Sequence, residues 1–114
     1  MDGRLQIELR NAPDRAILAF HGEFDLVGVP LLERELEREA VRSAAAVVLD
    51  LSELEFMDST GLRSLLSAQA GAGERDQGFA VTQSSEQVSR LLSMTGVAAQ
   101  LQIIASADAA LAQR

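Results

Sequence analysis

The tetrapeptide Asp58-Ser59-Thr60-Gly61 sets an acid, two hydroxyls and a glycine between an apolar run and a segment with helical spacing. A helix that starts near Ser59 leaves its first backbone N–H groups without helical partners. Asp58 or Ser59 can accept hydrogen bonds from them, so the tetrapeptide reads first as a helix cap. The same position supports a second chemistry. A hydroxyl at a helix start sits in a positive local field, and phosphorylation there adds about −1.5 to −2 charges with strong acceptor oxygens. Helix starts accept such anions, whereas Asp58 beside it repels one. A fold can therefore keep its shape through the modification while a docked partner loses complementarity, because a dianion in a desolvated interface without a matching cation is costly.

Other chemistries are poorly supplied. A serine hydrolase needs a base for its nucleophile, and His21 is the only histidine, at a strand end far from Ser59 in sequence. No Gly-x-Ser-x-Gly elbow or Gly-rich phosphate loop is present. Metal binding lacks ligands, with no Cys, one His and no calcium-loop spacing of acids. Asp50, Glu53 and Glu55 form a candidate carboxylate group, but following an apolar run they read as a solvated loop. No catalytic residue, metal or cofactor is expected, and the chain reads as a binding module rather than an enzyme.

Composition narrows the partners. The 114 residues suit one domain spanning 1–114, long enough to bury a core without staples. The net charge of −7 argues against direct nucleic-acid binding, which draws on clustered Lys and Arg. With no Trp or Tyr and four Phe, a base-stacking platform is missing too. No apolar run approaches the roughly 20 residues that span a bilayer. Met1-Asp2-Gly3-Arg4 leads straight into an alternating pattern, so no signal peptide is expected. The lack of cysteine is compatible with the cytosol, and a cytoplasmic location is expected.

The elements that must position the corner follow from periodicity. Leu5–Arg10 alternates like a half-buried strand, Asn11-Ala12-Pro13-Asp14 is turn chemistry, and Ala16–His21 reads as a second strand, giving an antiparallel hairpin. Gly22-Glu23-Phe24-Asp25 is expected to end it. A helix is predicted over Val29–Val41, with Pro30 in its first turn and a stripe of Val29, Leu32, Leu36 and Ala40. Val47–Leu51 suits a central strand covered on both faces, reached by a parallel crossover, with a short buried helix the alternative that periodicity leaves open. A helix from Ser59 to about Gly71 and a strand at Phe79–Thr82 come next. Ser84 and Gln87 fit a capping box for a further helix that stops at Met94-Thr95-Gly96. Leu101–Ile104 is a last strand, and Ser106 or Asp108 can cap a final helix through Ala109-Ala110-Leu111. The expected fold is α/β: a mixed sheet whose first two strands form a hairpin and whose later strands are parallel, covered by about four helices.

Three blocks, in order, carry a family resemblance. They are Gly22-Glu23-Phe24-Asp25; Leu49-Asp50-Leu51 followed by Phe56-Met57-Asp58-Ser59-Thr60-Gly61-Leu62; and Arg90-Leu91-Leu92-Ser93-Met94-Thr95-Gly96-Val97. The chain resembles a STAS domain of the bacterial anti-sigma factor antagonist family. The resemblance implies a small mixed-sheet fold and a partner-switching cycle. The unphosphorylated antagonist binds an anti-sigma factor that is also a serine kinase, which displaces the sigma factor. The kinase then phosphorylates the antagonist with ATP, the complex dissociates, and a serine phosphatase resets it. Ser59 is the implied phosphorylation site, and Asp25, Asp58, Ser59, Thr60 and Gly61 belong to the implied partner surface.

The chain departs from that pattern at Arg63, where many members have Gly. On a helix beginning at Ser59, residue 63 lies one turn on and leans back toward the N-terminus. Arg63 is therefore expected to reach a phosphate on Ser59 or an acid on the partner. A second function fits the same resemblance: a STAS subunit with no phosphorylation cycle, serving as a scaffold or as the regulatory partner of a transporter and using the same surface constitutively.

Overall fold

The computed structural model of the protein describes residues 3–111. Alternation builds the first hairpin: β1 (Gln6–Ala12) and β2 (Arg15–Phe24) pair antiparallel from Gln6↔His21 to Ala12↔Arg15. β3 (Ala46–Met57), β4 (Gly78–Thr82) and β5 (Ile103–Ile104) then add in parallel, so the sheet order is β1-β2-β3-β4-β5. The crossovers carry α1 (Val29–Leu36), α2 (Glu39–Arg42), α3 (Ser59–Glu74) and α4 (Glu86–Met94). The strand order never reverses, and parallel crossovers share one hand; the helices consequently collect on one face.

Side-chain alternation divides the sheet accordingly. Leu18 and Phe20 of β2, Leu49 and Leu51 of β3 and Val81 of β4 share a core with Leu32, Leu65, Val88 and Leu92 of the helices. Ile17, Val48, Ala80 and Ile104 face the other way and pack on Ala107, with Ala109 and Leu111 alongside. Both faces of the central strand are thus covered, one by helices and the other by an irregular segment.

That segment replaces the predicted final helix, which does not form among the described residues. The buried Arg15 explains why. Its Nη1 donates to the carbonyls of Ala107 (2.9 Å) and Ala109 (2.8 Å), while Nε and Nη2 bind Asp14. Carbonyls that a helix would use are taken by a guanidinium, and only a turn closed by Ala109 N–H on Ser106 remains. The paired guanidinium lowers the Asp14 pKa through its hydrogen bonds.

The predicted helix over Val29–Val41 is broken at Glu37 and Arg38. Arg38 is extended (φ −65°, ψ 140°) and starts α2. The break turns Val41, rather than the expected Ala40, into the core. The larger apolar side chain gains more from burial.

The largest departure lies in β3, which runs to Met57 instead of stopping at Leu51. Its pairing with β2 steps from Ala19↔Asp50 to His21↔Glu53 and from Gly22↔Leu54 to Glu23↔Phe56. Each step leaves one extra residue on β3, as in a bulge. Burial along this stretch therefore falls on Leu51, Leu54 and Met57, every third residue, and the strand period of two is lost. Asp50, Glu53 and Glu55 lie on this strand and not in a loop. Likewise, β2 does not end at Gly22 but continues through Phe24.

Candidate functional site

β2 and β3 end level with each other at the pair Phe24↔Met57. The next residue on each strand is an aspartate. Asp25 (φ −128°, ψ −167°) accepts from the Val27 N–H at 3.1 Å and caps a single 3-10 turn, Leu26–Gly28, that leads into α1. Asp58 (φ −105°, ψ −175°) accepts from the Gly61 N–H at 2.9 Å and caps α3. The Asp58 N–H donates to the Phe24 carbonyl at 3.3 Å, which ties the two strand ends together.

Each acid is followed three residues later by a buried glycine, Gly28 and Gly61. A Cβ on Gly61 would lie 2.5 Å from the Phe24 carbonyl oxygen, so the start of α3 sits against the β2 backbone only because no side chain intervenes. A Cβ on Gly28 would meet the tip of Leu5 at 2.8 Å.

Ser59, the first residue of α3, is exposed, and its hydroxyl makes no hydrogen bond among the described residues. Asp25, Asp58 and Thr60 are half-buried, and Arg63 is exposed one turn along α3. Thr60 and Arg63 line one wall of a groove of about 400 Å³ between α3 and α1, with Leu26, Val29 and Glu33 opposite. Gly61 corrects the expected surface: it is buried and sets the approach of α3 to β2, offering a partner no side chain. Apolar side chains border the strand ends instead. Leu26 and Val27 are 67% and 75% exposed, and Phe56, two residues before Asp58, is 40% exposed.

The arrangement is a rigid corner with an open hydroxyl. His21 sits inside β2 opposite Gln6 and Glu53, three residues short of the strand end, so it provides no base for Ser59. Asp58 is committed to the cap.

Two supports of the corner escaped sequence reading. Beyond Leu49↔Val81, β3 has lost its β4 partner. Gln87 replaces it: Oε1 accepts from the Met57 N–H and Nε2 donates to the Met57 carbonyl, both at 3.0 Å. The predicted capping box is accordingly not formed; Ser85 caps α4 by accepting from Val88 N–H, and Gln87 holds the residue before Asp58. Near the start of the unpaired stretch, the Leu51 N–H donates to Thr82 Oγ1 at 2.8 Å. Thr82 Oγ1 in turn lies 3.1 Å from Asp50 Oδ1, which also accepts from the Ser52 N–H and hydroxyl. Burial alone would raise the Asp50 pKa, but the hydrogen bonds from Ser52 and Thr82, with the charge of Arg10, bring it below the usual value. The signal that was available for the corner itself is the repeated spacing Asp25-x-x-Gly28 and Asp58-x-x-Gly61.

These features coincide with a known family. The model of the family described as "Mlab, STAS domain" matches residues 7–110. The chain belongs to the STAS domain family, and bacterial anti-sigma factor antagonists are among its relatives. The anti-sigma-B factor antagonist of Listeria monocytogenes is 30% identical over 76 residues, covering 67% of this chain and 67% of that protein. Among solved structures, an anti-sigma factor antagonist from Mycobacterium paratuberculosis superposes with a TM-score of 0.83 at 25% identity, over 95% of this chain and 92% of the other. The Bacillus cell fate determinant SpoIIAA in its phosphorylated form shares the fold, with a TM-score of 0.64 at 16% identity over 89% and 91% of the two chains. Among the described residues, no helix is long and apolar enough to cross a membrane.

Proposed function

We propose that this chain is an anti-sigma factor antagonist that binds an anti-sigma factor serine kinase in its unphosphorylated form and is released by phosphorylation at Ser59. The observation that carries the reading is the exposure of Ser59 on a braced corner, beside exposed Leu26, Val27 and Phe56. The apolar side chains supply desolvated contact area, and Asp25, Asp58 and Thr60 supply polar registration around it. Docking on the kinase frees the sigma factor. The Ser59 oxygen then attacks the γ-phosphorus of the kinase's ATP; the new O–P bond forms as the bond to the β-phosphate oxygen breaks, ADP leaves, and the hydroxyl proton passes to the kinase. A serine phosphatase restores the hydroxyl by hydrolysis.

The switch is electrostatic. Phosphate adds about −1.5 to −2 charges beside Asp58, on a chain already at −7. The fold tolerates the group because the Ser59 hydroxyl has no hydrogen bond to lose. A partner surface shaped for a neutral hydroxyl and two carboxylates must instead desolvate a dianion. That SpoIIAA exists in a phosphorylated form with the same fold supports the reading.

The test is a titration with the cognate kinase. Incubation with ATP should add one phosphate, mapped to Ser59 by mass spectrometry. The phosphorylated protein should bind on the order of 100-fold more weakly, equivalent to about 3 kcal/mol, whereas Ser59→Ala should stay bound in the presence of ATP. Equal affinity of the two forms would overturn the switch. Failure to gain phosphate would favour constitutive use of the same surface by a scaffold or a transporter-regulatory subunit.

A further inference from the structure

We propose that Arg63 is an internal receptor for the phosphate on Ser59, so that modification also withdraws the Arg63 charge from the groove between α1 and α3. The inference rests on phosphorylation of Ser59 and adds a second surface that reads it.

Arg10, Arg15, Arg38, Arg42 and Arg90 each hold an acidic partner, and Arg75 donates to Gln77. Arg34 shares the uncommitted state of Arg63 but lies on α1 and does not line the groove beside Ser59. Arg63 makes neither an ion pair nor a hydrogen bond among the described residues, although Glu33 and Glu37 line the same groove. Its guanidinium is exposed and uncommitted.

Its position on α3 suits Ser59. At 3.6 residues per turn, residue 63 lies about 6 Å further along the axis than residue 59 and about 40° around it. It falls between the azimuths of Ser59 and Thr60, the two hydroxyl residues of the first turn. Residues four apart have Cβ atoms about 5–6 Å apart, and helical side chains lean toward the N-terminus. The long Arg side chain therefore spans back to a phosphate on Ser59, and its planar fork matches phosphate oxygens in pairs. Asp58 and Asp25 at the strand ends deepen the negative potential that draws it. Once it folds back, the groove wall beside Thr60, opposite Glu33, loses the Arg63 charge, and Arg75 further along α3 is the remaining arginine of the lining. A partner that places an acidic side chain in the groove then loses its counter-charge as it meets the new dianion.

The pairing is testable without any kinase. Phosphoserine is encoded at position 59 in the wild-type, Arg63→Ala and Arg63→Lys backgrounds, and the second phosphate ionisation is followed by 31P NMR. Asp25, Asp58, Glu33 and Glu37 are common to all three proteins, so differences report residue 63. The wild-type pKa should lie about half a unit below that of Arg63→Ala, with Arg63→Lys between them. The difference should shrink in 1 M salt, where the screening length is about 3 Å. The Arg63 Nε–H resonance should shift on phosphorylation. Equal ionisation in wild type and Arg63→Ala would overturn the receptor role and leave the switch itself standing. Equal kinase affinity of the phosphorylated and unphosphorylated forms would remove the switch even if this pairing were present.

Discussion

Asp25 and Asp58 are the same device used twice, and their surroundings give them different work. Both follow the last paired residue of adjacent parallel strands, both are extended, and both precede a buried glycine by three residues. Past Asp25 the chain makes one 3-10 turn whose middle residues, Leu26 and Val27, stand in solvent. Past Asp58 it enters a sixteen-residue helix that buries Gly61, Leu62 and Leu65. The second corner is held by the core, whereas the first is held by two short-range hydrogen bonds to Asp25, from the Val27 and Gly28 N–H groups, and by the close fit of Gly28. The proposed switch calls on those two properties respectively: the Ser59 hydroxyl must stay fixed while its charge changes, and the apolar rim must mould to a partner.

The contrast can be broken most forcefully at the glycines. Gly61→Ala presses a methyl into the Phe24 carbonyl, a backbone atom that cannot turn aside. It should destabilise the domain by about 3 kcal/mol, read as a lower midpoint in urea unfolding. Gly28→Ala meets side-chain atoms only, Leu5 Cδ2 at 2.8 Å and Leu5 Cβ at 3.1 Å, and should cost less, about 1–2 kcal/mol. Equal losses would mean that the two corners are equally rigid. The caps give a milder version of the same comparison. Asp58→Ala should cost about 1–2 kcal/mol, because it uncaps a long helix. Asp25→Ala should cost less than about 0.5 kcal/mol, since it uncaps only a short exposed turn. Smallest in stability is the double change Leu26→Ser and Val27→Ser, within about 0.5 kcal/mol of wild type. The same protein should nonetheless bind the kinase at least tenfold more weakly in calorimetry; unchanged affinity would take the apolar rim out of the interface.

Legibility in the sequence tracked whether an element obeyed one period. The hairpin, α3 and the short β4 follow theirs, and they were readable with modest errors at the ends. The corner was readable because Asp58-Ser59-Thr60-Gly61 carries a cap signal between a strand and a helix. The far half of β3 was not, because two extra residues turn a period of two into one of three and make Glu53 and Glu55 resemble a loop. Gln87 satisfied a local capping rule equally well, and only the tertiary fold shows that Met57 claims it. Arg15 carries no signal in the local pattern, yet its long-range bonds to Ala107 and Ala109 displace the expected last helix. In each of these three cases a distant backbone group outcompeted a local preference, which no single segment reveals.

The two surplus residues of β3 also act as a length adjustment. β2 spends six residues from Ala19 to Phe24, while β3 spends eight from Asp50 to Met57 to cover the same ground. Deleting one of them would pull Asp58 back by about one rung, roughly 3.3 Å, and leave the paired carboxylates out of step. The spacing of the proposed docking surface is thus written into a mismatch of strand lengths well behind it.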